Sequence, residues 1–271
     1  KKDLASSRLV SKKEKIFNWI IFVLLLLGAV VMVFPLIYMI ATSFMTKNQI
    51  LSGTLTILPD PILIGKYSEV LKKGQFINGI FNSLKVAIPV LIIGGFTSSL
   101  AAFGFAKMRF RGKNALFLAL LATIMIPFAV VMIPQYVMFT KLGWTNTLLP
   151  LIIPGCFGNV SIIFFLRQNL IGYFRTFLQI FMPLMKGALA TQLMLWFMGI
   201  WNDYLAPTIF LRSEKNWTLQ VVIRSFNSYY AIQSDYALIM AASVIAMIPT
   251  MALFFIFQRM IIESIAISGI K

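Results

Sequence analysis

Apolar runs of roughly twenty residues or more, separated by short polar, basic or turn-forming segments, recur six times along the chain. At about 1.5 Å of rise per residue, a helix of that length crosses the ~30 Å hydrocarbon core of a bilayer. Hydropathy and breaker positions predict an all-α, polytopic membrane protein with six transmembrane helices: Phe17–Phe44, Asn82–Phe105, Ala115–Tyr136, Leu148–Leu166, Gly187–Phe210 and Tyr236–Phe257. Residues 1–16 read as a charged N-terminal arm. Residues 17–271 read as a single transmembrane domain, with an external loop over 46–81 and a cytoplasmic segment over 167–186. The first apolar run, about 28 residues long and without a small-residue cleavage site, is expected to stay as a span.

Breakers and small residues refine this picture. Leu58-Pro-Asp-Pro61, Gly65 and Gly74 predict an irregular external loop with at most a short helix at Tyr67–Lys73. Gly94, Ser98 and Ala102 recur every four residues in the second span, a stripe on which another helix can approach closely. Every predicted span contains at least one proline, among them Pro35, Pro89, Pro127, Pro134, Pro154, Pro207 and Pro249. Each removes a backbone donor and bends its helix.

Composition supports the membrane reading: 59% of residues are apolar and 12% charged, with a mean hydropathy of +0.88, outside the range of soluble domains. The net charge of +16 sorts by alternate loops and is not gathered on one face, which argues for orientation and against nucleic acid. With both termini cytoplasmic, 15 of the 24 Lys and Arg fall inside, densest in Lys1–Lys15 and Lys107–Lys113.

The chemistry of catalysis is missing from the composition. No histidine occurs, Cys156 is the single cysteine, and no pair of acids has metal-ligand spacing, which leaves catalytic residues and a metal site without candidates. No Gly-x-x-x-x-Gly-Lys-Ser/Thr loop is present, so ATP hydrolysis is not expected of this chain. Of the eight acids, only Asp203 lies well within a predicted span, about two-thirds along an apolar helix roughly 35 Å long. A lone carboxylate is a thin proton relay. It reads either as a hydrogen-bond partner for helix or backbone, or as a contact for a solute. The aromatics Trp196, Phe197, Trp201 and Tyr204 likewise read either as packing or as flat faces for sugar rings.

The segment that begins at Pro183 and runs through Trp201-Asn202-Asp203-Tyr204 to Pro207 and Leu211 resembles the inner-membrane permease subunits of binding-protein-dependent ABC importers, in the carbohydrate-uptake branch. Phe103–Asn114 (FGFAKMRFRGKN), Phe165-Leu-Arg-Gln168 and Ser268-Gly-Ile-Lys271 share in the resemblance. It implies the type I importer permease fold in a bacterial cytoplasmic membrane. It also implies a homologous second permease, two ABC ATPase copies that hold the ATP and Mg, and an extracellular sugar-binding protein. The solute would be a sugar, with glycerol phosphate or another polyol as a neighbouring option. An ion-coupled carrier acting alone is the alternative from a different class, and a membrane scaffold without a pathway is a third.

The resemblance also exposes an anomaly. Family members carry a loop with a Glu-Ala-Ala run and a later Gly between the fourth and fifth spans, and its short helix docks in the ATPase. Here Leu166–Gly172 and Tyr173–Leu184 match the flanks, while roughly fifteen residues between Gly172 and Tyr173, about 22 Å of helix, have no counterpart. Either the chain lacks the coupling segment or the sequence is closed up across it. Arg167, Gln168, Ile171, Gly172, Tyr173, Phe174 and Arg175 are expected to border the docking site, with Pro183 opening the ascent into the fifth span. Otherwise they form an ordinary interfacial collar of basic and aromatic side chains.

Overall fold

The computed structural model describes residues 12–169, 182–227 and 235–268. All regular structure among them is helical. α1 (Lys12–Thr42) is followed by two short loop helices, α2 (Lys47–Leu51) and α3 (Gly65–Lys72). The loop is thus more ordered than expected. Thr46 closes a reciprocal capping box with Gln49, and a Lys at each end of α3 flanks a helix whose Val70 is fully buried.

The second predicted span is a continuous rod, made of α4 (Gly74–Pro89), a π turn (Val90–Gly94) and α5 (Gly95–Lys107). Pro89 cannot donate to the preceding turn, and the widened π turn follows it directly. Lys113 ends the rod by donating to the carbonyls of Ala106 and Met108, at 3.2 and 3.1 Å, the favourable place for a cation on a helix C-terminus.

Three predicted spans are interrupted. The third is α6 (Lys113–Ile124) and α7 (Phe128–Lys141), set at 97° to each other about Met125–Pro127. Proline disfavours helical backbone at the residue before it, and Pro127 itself is extended. The fourth is α8 (Leu149–Cys156) and α9 (Val160–Asn169), parted at Phe157–Asn159, where Gly158 has φ +116° and Asn159 caps α9 through Ile162. The fifth is α10 (Met182–Trp201) and α11 (Leu205–Phe210), so the continuous helix expected from Gly187 to Phe210 ends at Trp201. α12 (Leu219–Ser225) and α13 (Tyr236–Ser268) complete the chain. Four helical stretches among the described residues are long and apolar enough to cross a membrane, and five if α6 and α7 count as one; Gly187–Trp201 is shorter.

Packing divides into two apolar clusters. Phe76, Ala87, Phe197, Trp201, Leu219, Val222 and Ala241 join α4, α10, α12 and α13. Phe103, Phe117, Ile162, Ile163 and Leu166 join α5, α6 and α9. The small-residue stripe lies at the second contact. A Cβ on Gly94 would stand 2.3 Å from the Gly155 carbonyl and 2.6 Å from the Trp196 ring. Ser98 accepts the Asn159 N–H at 2.8 Å, and Ala102 is fully buried. α1 is the exception, because over its most apolar stretch none of it is buried within this chain.

Candidate functional site

Pro207 decides the geometry of the Trp-Asn-Asp segment. In a helix continuous through this region its ring would collide with the Asp203 carbonyl four residues earlier. α10 therefore stops, and α11 restarts with Pro207 in its first turn, where the missing N–H costs no bond. Asp203 sits in the gap, and its carboxylate accepts the Ala206 N–H at 3.3 Å, covering an unpaired donor of α11. The expectation that Asp203 lies inside a long helix is corrected: it lies in a helix break and serves backbone.

The four residues of the segment diverge. Trp201 is 1% exposed, stacks on Phe197 with ring centroids 5.4 Å apart, and donates its indole N–H to the Ala246 carbonyl of α13 at 2.8 Å. It is a packing residue in this chain. Asn202 is exposed, with Nδ2 donating to the Met198 carbonyl at 2.9 Å and Oδ1 accepting from Gln220 at 3.3 Å. Tyr204 is 41% exposed. Trp196 lies against Gly94.

At the opposite end, the guanidinium of Arg167 stands 3.7 Å from the centroid of the Phe117 ring, a cation–π contact. Phe117 also meets Phe105 and Phe164, so Arg167 is seated on an aromatic cluster that ties α6 to α9. Gln168 is exposed. Ile171, Gly172, Tyr173, Phe174 and Arg175 lie outside the described residues, and Pro183 falls in the first turn of α10.

A third constellation escaped sequence reading. Asn146, in the left-handed region at φ +61°, accepts the backbone N–H groups of Arg212 and Ser213 on Oδ1, at 3.0 and 2.8 Å. Its Nδ2 donates to Ser213 Oγ at 2.8 Å, and its carbonyl accepts from the Asn216 amide. Nearby, buried Asn82 donates to the carbonyls of Lys215 and Trp217, and Ser83 accepts the Leu219 N–H. Together they clamp residues 211–219 to α4 and to the α7–α8 turn. Asn146 stood in a plain Trp-Thr-Asn-Thr turn, and only its tolerance of positive φ hinted at a special position.

No family model matches the chain. The chain is 27% identical to the arabinooligosaccharides transport system permease protein AraQ of Halalkalibacterium halodurans, over 96% of this chain and 99% of that protein. It is 28% identical to the lactose transport system permease protein LacG of Rhizobium radiobacter, over 88% and 90%. Its fold matches that of a chain in the crystal structure of a bacterial ABC transporter involved in import of the acidic polysaccharide alginate. That match has a TM-score of 0.76 and 20% identity, and covers 93% of this chain and 99% of the other.

These likenesses define the class: an ABC importer permease fold, with sugar-transport permeases as its relatives along nearly the whole length. These relatives are permease proteins of sugar transport systems, and the lone ion-coupled carrier is not favoured. The AraQ alignment runs over 278 positions but takes in about 260 of this chain's residues, 96% of 271, so about 18 positions of that relative have no counterpart here.

Proposed function

We propose that this chain pairs with a homologous second permease, above two copies of an ABC ATPase and below an extracellular sugar-binding protein, to move a di- or oligosaccharide inward. The observation that carries this reading is the likeness to sugar permeases along nearly the whole chain, joined to the importer fold. The exposed apolar surface of α1, where Met32 is 83% exposed, supports a second membrane subunit beside it. ATP and Mg belong to the ATPase, which has a phosphate loop where this chain has none.

In this reading both termini are cytoplasmic in a bacterial cell membrane, as the basic loops Lys1–Lys15 and Lys107–Lys113 support. The ATPases act near Arg167 and Gln168, and α9 carries their closure upward. The helix breaks at Pro127, Gly158 and Asn202–Tyr204 allow short segments to swing against one another, so that the pathway opens alternately to either side. Arg167 on Phe117 passes motion of the docking region into α6.

Affinity purification of the tagged chain in mild detergent, with mass spectrometry of its companions, tests the assembly. Recovery of an ATPase and a second permease is expected, with sugar uptake into proteoliposomes that requires ATP. A chain recovered alone, or uptake that follows an ion gradient, overturns the reading. Peptides across Gly172 and Tyr173 in the same data decide whether a coupling segment lies between them.

A further inference from the structure

Resting on the permease reading, we infer that Asn202, Tyr204 and Gln220 form a polar patch lining the translocation pathway, where they offer hydrogen bonds to the hydroxyls of the passing solute, while Trp201 serves packing. The helix break sorts these side chains. Trp201, Pro207 and Phe210 turn into the protein and are buried, whereas Asn202, Tyr204 and Thr208 are exposed. Gln220 reaches the same edge from α12, its Nε2 standing 3.3 Å from both the Trp201 carbonyl and Asn202 Oδ1.

Depth argues for a pathway wall over an ordinary wet surface. Lys186 is the last charged residue of α10 before its apolar run, and the sixteen residues from it to Asn202 span about 24 Å, which sets Asn202 in the outer part of a hydrocarbon layer about 30 Å thick. Lipid supplies no hydrogen bonds, and an amide facing it costs several kcal/mol if unpaired. Each carboxamide carries two donors and a carbonyl with two lone pairs. Among the described residues, Asn202 spends one donor on Met198 and one lone pair on Gln220. The remaining capacity is on an exposed side chain, and Tyr204, two residues on, is exposed as well.

Paired donors and acceptors next to an aromatic ring match neutral vicinal hydroxyls, which present both functions at close spacing. Asp203 gives Oδ1 to the Ala206 N–H and so holds the break that presents these side chains.

The test uses the assembled importer in proteoliposomes, with Cys156→Ala as background and the membrane-impermeant thiol reagent MTSET as probe. Single cysteines replace Asn202, Tyr204, Thr208 and Gln220. Met32→Cys, in the apolar middle of α1, is the dry control, and Leu58→Cys, in the exposed loop, is the wet one. The patch positions are expected to react at least tenfold faster than Met32→Cys. Their rates should also change severalfold between the nucleotide-free and ATP-vanadate-trapped states, while Leu58→Cys stays constant. Reaction as slow as at Met32→Cys places the patch against lipid or protein and overturns the inference; fast reaction that ignores the trapped state makes it plain outer surface and overturns it too. An assembly without an ATPase sinks the permease reading itself, and is recognised from the purification before any labelling. Four positions guard against a single variant that fails to assemble.

Discussion

Trp201 on α10 donates its indole N–H to the carbonyl of Ala246 on α13, 2.8 Å away, within the larger apolar cluster. Ala246 follows Ile245, whose carbonyl is the one that Pro249 leaves without a helix donor, so the indole bond falls in a turn already loosened. Trp201→Phe keeps most of the volume and loses the bond. It is expected to destabilise the chain by about 1–3 kcal/mol, and Trp201→Ala by about 3–5 kcal/mol. Thermal unfolding in detergent checks the order. Equal, negligible losses for both would show that the indole does not join these helices.

Gly94 is the tightest point between the second span and its neighbours. The Cβ of Gly94→Ala would meet the Gly155 carbonyl and the Trp196 ring at 2.3 and 2.6 Å, and the former is backbone that yields little. A loss of about 1–3 kcal/mol is expected. Gly28→Ala on α1, with no atom within 4 Å of the new Cβ, should be neutral or slightly stabilising through helix propensity. Unfolding midpoints of the two variants, measured side by side, test the contrast.

Asn146 separates backbone conformation from hydrogen bonding. Asn146→Gly relieves the positive φ but leaves the N–H groups of Arg212 and Ser213 without their acceptor, while Asn146→Ala adds about 1–2 kcal/mol of left-handed strain. Both variants should speed amide exchange at 212–213 by tenfold or more, and Asn146→Ala should melt lower than Asn146→Gly. Unchanged exchange in both would exclude the clamp.

Lys66 joins the external loop to the start of α13 through Asp235, at 2.5 Å, and also reaches Glu69 at 3.0 Å. For Asp235, burial works to raise the pKa, but the hydrogen bonds from Lys66 and the Leu238 N–H and the charges of Lys66 and Lys47 outweigh it and hold it below 3.8. For Lys66, burial works downward and is outweighed by Asp235 and Glu69, so its pKa lies above 10.5. A depressed acid stabilises above its unfolded value and loses this as pH falls through its folded one. A raised lysine stabilises below its unfolded value and loses this as pH rises through its folded one. The Tm advantage over Asp235→Asn, which keeps a capping oxygen, should therefore hold between about pH 4 and pH 10.5 and shrink beyond either limit. A difference that stays the same below pH 4 and above pH 10.5 would deny the pair its role.

Much of the architecture was legible because hydropathy and small-residue spacing report local facts. The apolar runs located the helical material, and the four-residue stripe at Gly94, Ser98 and Ala102 found where the second span meets α8, α10 and the break before α9. Prolines were visible, yet their consequence was not: Pro35 and Pro249 lie within helices, while Pro127 and Pro207 sit at breaks. Which result follows depends on whether neighbours satisfy the freed carbonyls, which a linear chain does not record. Trp201 and Asn202 are adjacent and look alike as signature residues, but one is core and the other surface.

The sequence by itself determined that this is an all-helical chain with membrane-spanning apolar runs, and its family motifs pointed to sugar importer permeases, because transfer of side chains into lipid depends on residue identity alone. Only the tertiary structure decided where the spans break, that Asp203 caps α11, that Arg167 rests on Phe117, and that Asn146 draws residues 212–216 to the α7–α8 turn. Those outcomes hang on contacts between residues 50 to 70 positions apart, or on a proline four residues downstream. Their energies exist only once the helices have met.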